Sequence, residues 1–378
     1  MPRLVISTVG TSLLTNQIDR QYENGYYSRL RDTANCTAEE IEKYHEDVAD
    51  IIQELKERAE EKLNSNDIDK IREASAELNG IYGLYQDQIN QGEQDIHWLI
   101  ASDTAQDKIT AEILQSFLGQ KGLNISIYTP PGFSTGSNEV FTQGIDELLN
   151  WCEDLIPGYQ DSGYEIYFNL VGGFKAIQGF ANTIGMFYAD KITYIFEGSS
   201  ELITIPRLPI KIDTDVIKPV EFALMAQGAW IDLQYLTGVP ETLLFIIEDK
   251  ATLSTWGRLI WNRSKENVLS EGLLTLNYIK YESSFLKDFE NIRDKKERLK
   301  LHETIVKVAY LLDKYNGDIS CLKGDGGVQL ETYKNTDIEH FRVTLSLRVS
   351  CKLVGGYLCL KYYGTHDHVE RSEKIKGR

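Results

Sequence analysis

Five short apolar runs spaced through the first two hundred residues constrain the fold more than any other feature. They are residues 3–9 (RLVISTV), 96–101 (IHWLIA), 125–129 (ISIYT), 164–169 (YEIYFN) and 192–196 (ITYIF). Helical patterns lie between the later runs, near 104–119, 138–154 and 175–189. Strands joined through helices return on the same side of the sheet, so they pair in parallel and carry helices on their faces. The expected fold class is α/β, a doubly wound parallel sheet over residues 1–214. Residues 202–205 and 209–212 are expected to add a hairpin at its end. No apolar run approaches the ~18 residues that span a bilayer. Met1-Pro2-Arg3-Leu4-Val5-Ile6 enters the first strand directly, so neither a secretory signal nor a membrane partner is expected.

Residues 40–85 interrupt this pattern. Ile41, Tyr44, Val48, Ile51, Ile52, Leu55, Ala59 and Leu63 recur every three or four residues, which predicts an amphipathic helix. Asn64-Ser65-Asn66-Asp67 breaks it, and Ile71, Ala74, Leu78 and Ile81 begin another. This reads as an acidic helical hairpin with a solvated charged face. Residues 215–270 read as a mainly helical linker anchored by Trp230, Tyr235, Leu244, Phe245, Trp256 and Trp261. Residues 271–378 read as a separate small domain. It has a strand at 274–279, helices near 283–292 and 295–314, and β-structure after the Gly324–Gly327 turn.

In an open parallel sheet, ligands bind beyond the carboxyl ends of the strands. Three loops fall there: Thr8-Val9-Gly10-Thr11-Ser12, Ser102-Asp103-Thr104 and Asn169-Leu170-Val171-Gly172-Gly173-Phe174-Lys175. A fourth, Pro130–Asn138, shares the rim. Glycines let backbone approach a ligand, a helix start offers N–H groups to an anion, and Lys175 adds a charge. The hydroxyls of Thr11 and Ser12 are candidate phosphate donors. Neither GxGxxG nor GxxxxGK is present, so a dinucleotide or Walker A site is not supported. The set TVGTSLL, SDT and NLVGGFK resembles the CARF domain, the CRISPR-associated Rossmann-like sensor, over roughly residues 1–205 apart from the insertion. The resemblance implies cyclic oligoadenylate, most commonly the tetra-adenylate ring, held across a two-fold homodimer. It implies ligand contacts at Gly10, Thr11, Ser12, Ser102, Asp103, Thr104, Asn169, Gly172, Gly173 and Lys175. Some CARF domains also cleave their ligand slowly.

The C-terminal domain carries a different signal. Residues 342–353 (RVTLSLRVSCKL) alternate, so Arg342, Thr344, Ser346, Arg348, Ser350 and Lys352 share one face of an expected strand. Gly355-Gly356 reads as a two-residue hairpin turn. That register sets Leu353 against Leu358, Cys351 against Leu360, Val349 against Tyr362 and Arg348 against Tyr363. Arg348, Tyr363 and His366 then converge at one end of the sheet. Arginines and a histidine suit metal-independent RNA cleavage, in which a ribose 2′-hydroxyl attacks its own phosphate.

The order of strand, two helices, strands and a GTHD segment resembles the RelE/ParE toxin superfamily, particularly RelE-type mRNA interferases, over about 272–378. By position, Arg342 and Arg348 match its basic strand residues and His366 its catalytic position, with Tyr363 as the late tyrosine. Thr344 stands where the family often has lysine; Lys323, Lys352 and Lys361 are the candidate RNA-binding charges. The two halves together resemble the CARF–RelE fusion, a CRISPR-associated mRNA interferase. This implies a cyclic-oligoadenylate-switched endoribonuclease acting on mRNA at the ribosome, with no metal or other cofactor.

Net charge is −17, which as a single number speaks against a nucleic-acid partner. It is unevenly spread. Residues 281–378 hold 18 basic and 15 acidic side chains, leaving 22 and 42 for residues 1–280. The five cysteines form no CxxC pair, so a reducing cytoplasm is the expected compartment. HEPN ribonucleases space Arg and His by four to six residues, whereas Arg298 and His302 have three between them. A PD-(D/E)xK nuclease would need a lysine two residues after Glu331, and Lys334 is three away. The alternatives kept are a ribosome-independent CARF ribonuclease and a non-catalytic ligand-responsive regulator.

Overall fold

The structure is a computed structural model that describes residues 1–133, 137–195, 199, 201–270, 272–334 and 336–375. Ser134, Thr135 and Gly136 of the fourth rim loop lie outside the described residues. So do Phe196 of the fifth expected strand, and residues 271 and 376–378 of the expected last domain. The chain divides into two compact units, Met1–Ile210 and Lys211–Arg378.

The N-terminal unit holds a six-stranded sheet of β1 (Arg3–Thr8), β2 (Ile96–Ile100), β3 (Asn124–Tyr128), β4 (Glu165–Asn169), β5 (Lys191–Ile195) and β6 (Leu202–Pro206). Their spatial order is β3-β2-β1-β4-β5-β6. The first five strands are parallel, and β6 runs antiparallel to β5. The added hairpin is thus β5–β6, and residues 209–212 are not a strand. Helices Ala105–Gln120, Asn138–Asp161 and Lys175–Tyr188 make the crossovers. The order reverses between β1 and β4, the position where open α/β sheets place their ligands.

The insertion is larger than its periodicity suggests. Six helices occupy residues 12–84 between β1 and β2. The first expected helix, Ile41 to Leu63, is broken at His45 into Ala38–Tyr44 and Glu46–Leu63; the spacing holds for buried Ile41, Val48, Ile51, Ile52, Leu55, Ala59 and Leu63, but Tyr44 is exposed. The second expected helix is two. Ser75 adopts an extended backbone, and its side chain accepts from the Leu78 N–H, starting a new helix at Ala76–Leu84.

In the C-terminal unit, residues 215–270 hold helices near both ends and a small sheet between them. β7 (Ile231–Asp232), β8 (Leu244–Ile247) and β9 (Lys250–Leu253) form an antiparallel sheet beside helices Pro219–Ala226 and Thr255–Ser270. Trp261 is buried, but Trp230, Tyr235 and Phe245 are exposed. This segment shares one apolar core with the rest of the unit: Phe222, Met225 and Trp261 cluster with Phe285, Leu301, Phe341, Val349 and Leu360. It is part of the C-terminal unit and not a free-standing linker.

The second sheet has β10 (Ile279–Tyr281), β11 (Glu331–Thr332), β12 (Glu339–Arg342), β13 (Leu347–Val354) and β14 (Tyr357–Thr365) in the order β10-β14-β13-β12-β11. Helices Ser283–Glu290 and Lys295–Lys314 fall where expected. The strand expected at 274–279 shrinks to Ile279–Tyr281, because Tyr278 turns at φ 61° just before it. Gly355 and Gly356 have φ of 58° and 82°, the positive values a two-residue hairpin turn demands.

Two expectations about the 342–365 region are corrected. Residues 342–353 are not one strand, because the chain turns over at 343–346. Val343 N–H donates to Leu347 O at 2.9 Å, Thr344 Oγ1 accepts from the Ser346 and Leu347 N–H groups, and Leu345 is 93% exposed. Further on, β14 contains a bulge. Cys351 faces Leu360 and Ser350 faces Tyr362, so Lys361 is the extra residue. The pairing beyond it shifts by one: Val349 opposes Tyr363, and Arg348 opposes Gly364.

Candidate functional site

The mouth of the N-terminal sheet is built around a carboxylate. Glu77, in the first turn of Ala76–Leu84, is fully buried. Its Oε1 accepts from the Gly10 N–H and its Oε2 from the Ser12 hydroxyl, both at 2.8 Å. The Ser12 oxygen in turn accepts from the Ala76 N–H at 3.0 Å. The Ser12 hydroxyl is therefore not a free phosphate donor, because a residue of the insertion already holds it. Burial pushes the Glu77 carboxyl above its usual range.

The glycines fit this packing. A Cβ on Gly172 would lie 1.9 Å from Glu77 Oε1, and one on Gly10 would lie 2.4 Å from the Gly173 nitrogen. Gly173 itself has φ 94°. The Thr8 hydroxyl ties the two loops by donating to Gly172 O at 2.6 Å.

Other expected contacts also face inward. Asn169 donates to Ser7 Oγ at 3.1 Å and accepts from the Thr193 hydroxyl at 3.2 Å. Ser102 and Thr104 are buried, and the Ser102 hydroxyl donates to Asp107 Oδ2. Burial, aided by Glu77, raises the Asp107 pKa to about 7 against the Ser102 hydrogen bond. Thr11 and Asp103 are half-buried and Lys175 is exposed. Lys175 opens Lys175–Tyr188, whose N-cap Phe174 provides no side-chain cap. The cationic part of the mouth is the third loop, while the first two loops border buried acids. Sequence reasoning misses Glu77, which passes for part of a solvated acidic face. The available signal is its place on the Ala74, Leu78, Ile81 stripe.

In the C-terminal unit the turn at 343–346 has a consequence for charge. On one continuous strand, Arg342 and Arg348 would lie ~20 Å apart. Folded back, they are direct cross-strand partners, with Cβ atoms roughly 5 Å apart. A four-residue turn preserves parity, so both still share a face with His340 and Ser350. Phe341 and Val349 point the other way into the core.

Around this pair stand residues that no sequence pattern singled out. Glu331 of β11 lies 3.6 Å from Arg342 and 3.7 Å from His340. Tyr333 stacks on His340 at 4.1 Å, and its ring lies 6.4 Å from that of His366. Burial, with Arg348 nearby, lowers the His340 pKa to about 4, so its ring is neutral near pH 7. His366 begins the helix His366–Ser372, capped by Thr365, and its Nε2 lies 3.1 Å from Glu370.

Arg348 has no ion-pair partner among the described residues. Buried Arg342 Nε, Arg348 Nε, His340 Nδ1 and Tyr333 OH also have no hydrogen-bond partner among them. Unmet buried donors cost about 1–3 kcal/mol each. Two opposed guanidiniums repel, so an anion bound between them would relieve both costs.

Tyr363 is not part of this cluster. The bulge turns it into the core, where its hydroxyl donates to Glu297 at 3.0 Å, and burial raises its pKa. The three candidate lysines are each paired with a carboxylate: Lys323 with Glu339 at 3.8 Å, Lys352 with Asp337, and Lys361 with Glu373 at 2.6 Å. Among the described residues no three His, Cys, Asp or Glu side chains are grouped to hold a metal ion. Arg298 and His302 are structural. Arg298 lies 4.5 Å over the Phe289 ring, and burial lowers the His302 pKa to about 4.

Residues 72–208 match the family model described as CRISPR-associated protein (Cas_APE2256). The match indicates a CRISPR-associated protein. The matched segment contains Glu77, the Ser102–Thr104 loop and the Asn169–Lys175 loop, and ends just past β6. Gly10–Ser12 and the whole C-terminal unit lie outside it. Among the described residues no helix is long and apolar enough to cross a membrane.

Proposed function

We propose that the chain is a CRISPR-associated effector in which cyclic oligoadenylate, bound by a homodimer of the N-terminal unit, activates an endoribonuclease in the C-terminal unit. The ribonuclease is RelE-like, acts on mRNA at the ribosome and thereby stops translation. The observation that carries this reading is the cross-strand Arg342–Arg348 pair, with His366 two residues beyond the Gly364 that opposes Arg348. The reversing strand order of the N-terminal sheet and the family match support a Rossmann-like (CARF) sensor. The C-terminal strand order, with two helices after its first strand, supports the RelE-like assignment.

In the mechanism, the ribose 2′-oxygen attacks the adjacent phosphorus and its proton passes to water. Arg342 and Arg348 flank the phosphorane and stabilise its growing charge. The P–O5′ bond breaks as His366 gives a proton to the leaving 5′-oxygen. Products are a 2′,3′-cyclic phosphate and a 5′-hydroxyl.

Translation in vitro with each cyclic oligoadenylate, followed by mapping of mRNA ends, tests the reading. One ring size should induce cuts within translated message and spare the same RNA without ribosomes. Equal cutting of naked RNA would remove the ribosome from the proposal. No cutting with any ring would remove the ribonuclease.

A further inference from the structure

The mechanism asks His366 to deliver a proton, but an imidazole has two nitrogens and can present either. His366 and Glu370 are four residues apart on one helix, and two groups stand beside the His366 ring. Glu370 Oε1 stands 3.1 Å from Nε2, and the Tyr333 ring, itself held by stacking on His340, lies 6.4 Å from the imidazole. The other nitrogen, Nδ1, faces Asp367 at 3.7 Å, beyond hydrogen-bond reach, and the Asp367 side chain is 88% exposed.

Resting on the ribonuclease reading above, we propose that Glu370 is a positioning residue that holds Nε2–H of His366 and leaves Nδ1 as the atom that protonates the 5′-oxygen. The proton on Nδ1 moves to O5′ as the P–O5′ bond breaks, leaving a neutral ring with its remaining proton on Nε2 facing Glu370. Water then restores the Nδ1 proton.

The other groups around the ring are Asp367 on the same helix, Tyr333 before β12 and His340 on β12; Arg342 and Arg348 act on His340 from the same face. His368 turns away to Asp288, at 3.4 Å. None of these places a second carboxylate within hydrogen-bond reach of the ring.

Two readouts test the pair. In single-turnover cleavage of ribosome-bound mRNA with activating ligand, Glu370→Gln should lower the rate about tenfold near neutral pH. Glu370→Asp should restore part of the rate. Nitrogen NMR of the full chain should show neutral His366 protonated at Nε2, with that preference lost in Glu370→Gln. An unchanged Glu370→Gln rate on an active wild type, or an Nδ1–H tautomer in wild type, overturns the pair while leaving the ribonuclease reading intact. A wild type that cuts nothing overturns the ribonuclease reading and the catalytic use of the pair, whatever the tautomer.

Discussion

At the mouth of the N-terminal sheet, two loop donors are already satisfied: the Glu77 carboxylate takes the Gly10 amide and the Ser12 hydroxyl. On the cationic face of the C-terminal sheet the reverse holds. Two arginines oppose one another, and four buried polar atoms around them lack a partner among the described residues. The first arrangement suits a scaffold that sets loop shape and leaves Thr11, Asp103, Lys175 and backbone groups for a ligand. The second suits a site whose polar groups are completed by a phosphate. Asp103 Oδ1 and Asp107 Oδ1 near the first site, and Arg298 Nε and His302 Nε2 elsewhere, also lack a partner among the described residues, so what sets the second site apart is two guanidiniums opposed across strands.

The largest effect should come from removing the unpaired arginine or the histidine assigned to protonate the leaving oxygen. Arg348→Ala or His366→Ala should reduce ligand-stimulated cleavage by about 10²–10⁴-fold while leaving the thermal midpoint nearly unchanged. Full activity in both would mean that the unpaired arginine is only structural.

Next in size is the glycine that makes room for Glu77. Gly172→Ala should destabilise the N-terminal unit by about 1–3 kcal/mol, because the new methyl meets the buried carboxylate. Gly326→Ala in the C-terminal unit meets nothing within 4 Å and should be close to neutral. Denaturant titration of both variants compares them, and equal stabilities would show that Glu77 moves aside easily.

The two units should also respond differently to pH. Asp107 has a folded pKa raised to about 7, so the folded N-terminal unit binds more protons than the unfolded chain. Its stability should therefore fall as pH rises from about 4 to about 7. Burial raises Glu77 as well, which adds to the same trend, whereas buried His97 of this unit, lowered to about 4, opposes it. His340 and His302 have folded values lowered to about 4, so the unfolded chain binds more protons there. The C-terminal unit should gain stability as pH rises from about 4 to about 6.5. Amide exchange followed unit by unit should show the steeper gain with pH in the C-terminal unit, and equal slopes would break the comparison.

The smallest effect belongs to a paired surface charge. Lys352→Ala removes an exposed ion pair with Asp337 and should leave the denaturation midpoint essentially unchanged. A clear loss, seen in cleavage and not in stability, would return Lys352 to the RNA-binding set.

Periodicity made much of the architecture legible. Alternating strand and helix patterns located the parallel sheet, and alternation at 342–353 correctly put both arginines on one face. Periodicity could not reveal the turn at 343–346, because Thr344-Leu345-Ser346 keeps the strand's alternation while its hydroxyl closes the turn. Nor could it reveal the bulge at Lys361, where one unpaired residue carried Tyr363 from the expected site into the core. His340 and Tyr333 escaped notice for a related reason: they join the site through sheet pairing and ring stacking, and no sequence spacing records either. Glu77 looked like one more acid in an acidic insertion until the fold buried it against Gly10 and Gly172.

The account turns on whether the Arg342, Arg348 and His366 cluster uses the RNA's own 2′-hydroxyl, and the chemistry of the cut ends tests this most directly. Message cleaved on ribosomes under activating ligand, with the reaction stopped early, should end in 2′,3′-cyclic phosphates upstream and 5′-hydroxyls downstream, and a 2′-deoxy substitution at the cleaved nucleotide should block the cut. Upstream 3′-hydroxyls with downstream 5′-phosphates, or undiminished cutting at the deoxy position, would contradict it.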